Sequence, residues 1–343
     1  MRREAQSRAK TQRINGVGSI IPVLIFLTVS VTLATHTVAR FDLAEFPGDV
    51  SYYVSLHEGS SLSDVPAPYR YRILVPRAAR LMPGLPERFA GDDETRHDRN
   101  VLFRFALINV LGLTLAASWL FRILRHLGMG PFEALAGGLL FLGSLVPVTQ
   151  GTLPLVDAWA YALLAGCLLA LLSKQRLLLV ALFSVGVFVK ETIFLVPLAA
   201  WLLDDEWKAR GRRLLEFAPA TLAYAVFRFV LVPADQPVVS AASTKQFVYD
   251  AFVSGARMGD WIRGALTFGI LWVLALYGWR IVRRKRDHPL VRWAPLVPVI
   301  LIAPFVLALN LGRVWVYAFP IVIPLSLIAI RKIWLGNTDP ETG

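Results

Sequence analysis

The sequence predicts an all-α, polytopic membrane protein with about ten transmembrane segments and a large first extracytoplasmic loop that contains interfacial helices. Three observations lead there. Of the 343 residues, 56% are hydrophobic and only 17% charged, with a mean hydropathy of +0.55. The apolar residues fall in continuous runs, many of them close to the roughly twenty residues that a helix needs to cross a bilayer, and not at the amphipathic spacing of a soluble core. The basic residues behind the net charge of +12 gather at the ends of those runs. In a soluble chain that charge would suggest nucleic acid; at span ends it sets orientation and meets anionic headgroups, so the bilayer is the expected partner and nucleic acid is not. A β-barrel would need short strands of alternating polarity, which the sequence lacks.

The expected spans cover residues 17–34, 101–120, 132–148, 155–172, 177–189, 192–203, 214–232, 262–279, 293–309 and 314–330. The first follows a polar stretch bearing Arg2, Arg3, Arg8, Lys10 and Arg13, and reads as an uncleaved helix because many spans come after it. The fifth and sixth are short, and residues 177–203 read alternatively as one helix with Lys190 and Glu191 near its middle. Basic residues decide between the two. With a break at Lys190-Glu191, the amino-terminal tail, Arg122/Arg125, Lys174/Arg176, the 208–213 and 283–286 groups and Arg331/Lys332 all fall on one side. With a single helix, the last three groups change sides. The positive-inside tendency favours the break and places both termini in the cytoplasm. The chain then reads as one integral-membrane domain over 1–343, with residues 40–100 as the first outer loop within it. Cys167 is the single cysteine, so no intrachain disulfide or thiolate metal cluster is available.

That first loop is unlike a connector. It opens Phe46-Pro47-Gly48-Asp49-Val50-Ser51-Tyr52-Tyr53 and continues Pro68-Tyr69-Arg70-Tyr71-Arg72, a carboxylate followed by paired tyrosines and then arginines alternating with aromatics. Headgroup anchoring explains Arg70 and Arg72 as a bland alternative, and Arg77 and Arg80, one turn apart, look interfacial. Asp49 gains nothing as an anchor against anionic lipid.

Charges inside or flush with apolar segments cost about 2.5–3.5 kcal/mol each to insert, so each needs a reason. Asp157, Lys190, Glu191, Arg228 and Arg313 are the cases. Asp157 starts a helix, where a plain cap explains it as well as chemistry does. Lys190 and Glu191 are neighbours and so do not face each other; their expected partners are remote, with Arg313, Arg228 and Asp157 as candidates. Arg313 and Arg228 either snorkel to the interface or grip a phosphate with forked donors, and for Arg228 snorkelling is preferred. The five histidines show no ligand spacing, and there is no phosphate-binding glycine loop, so neither a histidine metal site nor nucleotide-driven transport is supported.

In layout, a first helix, a large outer loop with an acid near its start, a second acid in the next outer loop, a later basic-acidic pair and about ten spans, the chain resembles the GT-C superfamily of integral-membrane glycosyltransferases, which use polyprenyl-phosphate sugars. Gly48-Asp49 with Tyr52 and Tyr53 is similar to that family's first-loop acidic motif, Asp157 to its second-loop acid, and Lys190-Glu191 to its basic-acidic pair. The single acid at Asp49, with Asp42 and Glu45 upstream where many members carry an acidic pair, departs from the pattern, as does the lack of a carboxy-terminal soluble domain. The resemblance implies a transferase of the cell envelope, with Asp49 and Asp157 as catalytic residues. Arg70, Arg72, Lys190, Glu191, Arg313, Tyr52 and Tyr53 would then bind substrate. The implied partners are a polyprenyl-phosphate-linked sugar donor and a glycan, lipid or protein acceptor, in a bacterial plasma membrane. No cofactor is called for; a divalent cation is left open. The alternatives are a transporter or flippase of a lipid-linked or anionic substrate, using Lys190 and Glu191 as a coupling pair, and a membrane assembly subunit.

Overall fold

The computed structural model describes residues 2–40, 43, 48–86, 93–204, 206–232, 241–254, 257–307 and 311–335, and it is helical throughout, with no strand among the described residues. In chain order the helices are α1 (Arg2–Arg40), α2 (Asp49–Glu58), α3 (Leu74–Arg80), α4 (Asp93–His126), α5 (Pro131–Leu142), α6 (Leu145–Gln150), α7 (Asp157–Leu172), α8 (Arg176–Gly186), α9 (Leu195–Leu203), α10 (Trp207–Val226), α11 (Ala241–Phe252), α12 (Met258–Phe268), α13 (Leu271–Val282), α14 (Pro289–Trp293), α15 (Leu296–Leu307), α16 (Leu311–Trp315) and α17 (Phe319–Leu335).

Among the described residues, four helical stretches are long and apolar enough to cross a membrane: Ile20–Arg40, Thr95–His126, Trp207–Leu231 and Leu311–Trp334. A fifth arises if α12 and α13, bent by 55° at a short break, form one span. The other expected spans coincide with shorter apolar helices, Pro131–Leu142, Asp157–Leu172, Arg176–Gly186, Glu191–Leu203 and Pro289–Phe305. Several apolar helices of this kind are compatible with a multi-pass membrane protein. Besides that bent pair, other expected stretches are interrupted. Residues 132–148 are divided at Gly143 and Ser144 into α5 and α6, because the Leu145-Val146-Pro147 run restarts the helix with proline in its first turn. Residues 177–203 are divided too: α8 ends at Gly186, Lys190 is fully extended, and a 3-10 turn over Glu191–Phe194 leads into α9.

The core forms around α4, which packs on α1, α5 and α7, while α13 lies along α17. Between apolar helices in lipid, close approach replaces the hydrophobic effect as the source of association, and small residues allow it. The buried face of α7 supplies Ala158, Ala162, Ala165 and Gly166. On α13, Gly278 meets α17 so closely that a Cβ there would lie 1.9 Å from the Leu325 carbonyl oxygen. One end of the bundle is tied by Arg331–Glu133 at 3.8 Å, Arg176–Glu216 at 3.5 Å and the Arg292 guanidinium on the Leu203 carbonyl. The acids and cations considered next are at the opposite ends of the same helices, since α7 begins at Asp157 and α17 follows Arg313.

Gly278→Val is expected to destabilise the fold by about 3 kcal/mol, because backbone and not a flexible side chain stands in the way. Gly211→Ala on α10, where a Cβ meets nothing within 4 Å, is expected to be neutral or slightly stabilising. Thermal unfolding of the two variants in detergent checks the pair.

Candidate functional site

Four parts of the chain that are remote in sequence meet at this end of the bundle. Asp49 is the first residue of α2, directly after Gly48, whose φ of 88° and ψ of −122° belong to a region that glycine alone occupies readily. That turn sets where α2 starts and so where Asp49 sits. Asp157 is the first residue of α7. Lys190 and Glu191 occupy the interruption between α8 and α9, where Lys190 is extended and a 3-10 turn begins at Glu191. Arg313 lies in α16, just ahead of α17.

Arg313 joins the acids. Its Nη1 contacts Asp49 Oδ2, and its Nη2 donates to Asp157 Oδ2 at 2.6 Å. Lys190 Nζ pairs with Asp157 Oδ1, which also accepts from the Tyr317 hydroxyl at 3.2 Å. The Lys190 ammonium lies 5.4 Å from the centroid of the Tyr317 ring. On Asp49, the second oxygen accepts from the Tyr69 hydroxyl at 2.5 Å. Beside this group, Arg72 reaches Glu191 Oε2 through Nε at 2.9 Å and Nη2 at 2.8 Å, and its Nη1 donates to the Tyr53 hydroxyl at 3.0 Å. The other Glu191 oxygen accepts from Tyr224 at 3.2 Å.

Of the residues singled out in the sequence, Asp49, Asp157, Lys190, Glu191, Arg313, Arg72 and Tyr53 are therefore in one connected set of contacts. Tyr52 flanks it, its ring centroid 4.9 Å from that of Tyr69. Arg70 is buried, and its Nε donates to the Val65 carbonyl at 2.7 Å, which holds the loop together. The cap explanation for Asp157 does not describe this geometry, because both of its oxygens accept from remote side chains. Arg228, read as a snorkelling residue, instead lies over the Tyr71 ring at 5.0 Å and reaches the Tyr224 hydroxyl at 3.5 Å. Asp42 and Glu45 lie outside the described residues.

Exposure is graded across the set. The Asp157 side chain is 2% exposed, Lys190 9%, Arg313 15% and Asp49 31%, so the opening is on the Asp49 side. Burial pushes the Asp49 carboxyl up, but the Arg313 cation and the Tyr69 hydroxyl together hold it below its ordinary 3.8, so it is ionised at neutral pH. Burial drives the Tyr53 phenol up to about 12, which keeps it a neutral donor and acceptor beside Arg72. Among the described residues no three His, Cys, Asp or Glu side chains are grouped to hold a metal ion.

One positioning residue escaped the sequence reading. Asn109, fully buried in α4, donates from Nδ2 to the carbonyls of Leu153 at 2.7 Å and Leu155 at 3.1 Å, and so clamps the segment that delivers Asp157. Trp159 adds a bond from Nε1 to the Ile108 carbonyl at 2.9 Å. The signal was an asparagine inside an apolar run; the 101–120 segment otherwise hides it. Tyr224, in α10, was equally out of view. Comparison of the chain with protein families, with curated proteins and with solved structures returns no match, so its own geometry carries the functional reading.

Asn109→Leu is expected to cost about 2 kcal/mol, since it strands carbonyls where water does not reach, and the loss should appear as a lower unfolding temperature. The depressed Asp49 pKa has a defined sign. A carboxyl whose folded pKa lies below the unfolded value contributes stability that is complete above the unfolded pKa, near 4, and is lost as pH falls through the folded one. Wild-type protein should therefore lose stability below about pH 4 more steeply than Asp49→Asn, as read by unfolding temperature against pH.

Proposed function

We propose that the protein is a GT-C-type membrane glycosyltransferase that moves a sugar from a polyprenyl-phosphate donor to an acceptor at the extracytoplasmic face of a bacterial plasma membrane, with about ten spans and both termini cytoplasmic. The single observation that carries this reading is the half-open carboxylate of Asp49 set against the buried cations Arg313 and Lys190, with aromatic rings beside it. A transfer from a lipid phosphate needs a base on the side that water and acceptor can reach, and donors on the side where the phosphate departs.

In this reaction the acceptor hydroxyl oxygen bonds to the anomeric carbon as the bond from that carbon to the phosphate oxygen breaks. The phosphate leaves with the electron pair, and Asp49 receives the hydroxyl proton and later returns it to water. A carboxylate of low pKa serves here, because the hydroxyl becomes strongly acidic only as its new bond forms. Arg313, Lys190 and Arg72 neutralise the departing phosphate, and Arg70 stiffens the loop that carries Arg72. Asp157 and Glu191 hold those cations in place. The Tyr52 and Tyr69 rings form a platform for the sugar, and Tyr53 orients Arg72.

The interrupted helix around Lys190 also favours a second reading, a carrier of a lipid-linked anion. One assay separates the two: a carrier leaves the sugar–phosphate bond intact. With purified protein in liposomes and synthetic short-chain polyprenyl-phosphate sugars, wild type is expected to release polyprenyl phosphate when given an acceptor. Asp49→Asn should lower that turnover by about 100-fold or more with the fold retained, and Arg313→Lys should lower it less. No release from any donor, or an Asp49→Asn variant that turns over like wild type, would overturn the proposal.

A further inference from the structure

A polar cavity of about 480 Å³ lies at the far end of α2, about 12 Å along that helix from Asp49, between α2, α3 and the start of α4. It is lined by His57, Glu58, Arg80, His97, Asn100 and Arg104. The unsatisfied groups there are donors. The Arg80 and Arg104 guanidiniums meet no acceptor among the described residues, and Arg104 Nε is buried without a partner. Asn100 uses its oxygen to accept from the Leu85 amide at 2.8 Å, which leaves its NH2 group for the cavity. Among the described lining residues the one acid, Glu58, is taken by His97 at 2.7 Å. His57 is 4% exposed, with Nδ1 3.4 Å from the Pro76 carbonyl.

A charged donor buried without an acceptor costs more than the roughly 1–3 kcal/mol of a neutral one, so Arg104 Nε, with the Arg80 guanidinium and the Asn100 amide facing the same cavity, favours a ligand that accepts. Glycines make room for these side chains on two sides. A Cβ at Gly59 would come within 3.0 Å of Arg80 Nη1, and one at Gly84 within 3.3 Å of Asn100 Oδ1 and 3.6 Å of Arg104 Nη2. Arg77 stands behind, its Nη1 3.8 Å from the same Gly59 position. Two forked guanidiniums and an amide match the oxygens of a phosphate group, and the volume takes the group together with what it is attached to. A cation is disfavoured by the same arginines, which also add to the effect of burial in lowering the His57 pKa.

We propose that this cavity is a binding site for a phosphate group, separate from the Asp49 site, with Arg80, Arg104 and Asn100 as its ligands. The inference does not rest on the proposed transferase activity. Two sources present the same chemistry: the headgroup of an anionic phospholipid, and a soluble phosphorylated molecule.

The test uses the full chain in detergent and titrates it separately with inorganic phosphate and with dihexanoyl phosphatidylglycerol, against chloride at equal ionic strength, reading unfolding temperature and calorimetric Kd. Arg80→Gln and Arg104→Gln are each expected to weaken binding about tenfold. Arg99→Gln, at an exposed position on the same helix, should leave it within about twofold. Saturation by phosphatidylglycerol alone would assign a lipid headgroup; saturation by inorganic phosphate as well would assign soluble phosphoryl compounds. If Arg104→Gln does not fold, Arg80→Gln, at an exposed side chain, carries the test. Binding of neither probe, or binding that Arg80→Gln leaves unchanged, overturns the proposal.

Discussion

Arg313 reaches two carboxylates at once, Asp49 on the first loop and Asp157 at the head of α7, and the arrangement of this end of the molecule depends on that bridge. A guanidinium taken out of water loses several kcal/mol of hydration, and a single partner seldom restores it. Two carboxylates do so here, and one of them, Asp157, is in turn shared with Lys190. The bridge therefore fixes three elements relative to one another: α2, α7 and α16. It also explains why the chain tolerates so many charges beside apolar helices. Asp49, Asp157, Lys190, Glu191, Arg72 and Arg313 are each neutralised by a group from a different segment, so the cost of burial is met only when those segments have arrived.

The same logic couples the first loop to the bundle. Arg72 binds Glu191 across 119 positions of sequence, and Tyr53 and Tyr224 complete the hydrogen bonding of that pair. A loop held by anchoring to lipid alone would be free to slide along the surface. This one is registered on the interruption between α8 and α9, so that Tyr52, Tyr69 and Asp49 keep a fixed relation to Lys190. Beneath it the packing is of another kind. Alanine and glycine faces on α7 and α13 bring helices close, with the few buried polar groups, such as Asn109 and Ser326, tied to backbone carbonyls. Rigidity in the apolar part is what allows a charged cluster at its end to be held at hydrogen-bond distances.

Much of this was legible in the sequence, for a physical reason. Apolar runs must be helical where backbone groups cannot meet water, so every expected span corresponds to a helix or a pair of helices. Charges inside such runs are expensive, so Asp157, Lys190, Glu191 and Arg313 stood out before any fold was known, and the basic residues at span ends argued for the interruption at Lys190. What could not be read was pairing. Asp157 at a helix start looks like a cap until α16 and Lys190 are seen to approach it, and Arg228 looks like an interfacial anchor until Tyr71 lies under it. Asn109 was hidden because its partners are main-chain carbonyls, and main-chain atoms have no sequence signature. The break at Gly143 and Ser144 depends on a proline in the next turn, a signal that a hydropathy run averages away.

The distribution of exposure across the cluster bears on how such a site would work. Asp157 is sealed by three partners and has no room to take a proton, whereas Asp49 is held by two and faces the opening. In the proposed reaction the two acids therefore divide their work by burial and not by residue type: the inner one would keep the cations in position and the outer one would meet what enters. A phosphate arriving beside Arg313 would compete with both carboxylates for the same forked donors. Asp157 retains Lys190 and Tyr317 if that happens, while Asp49 retains only Tyr69. Entry of an anion would thus loosen the outer carboxylate first and raise its basicity at the moment a proton has to be accepted, so that in the proposed reaction donor binding itself prepares the base.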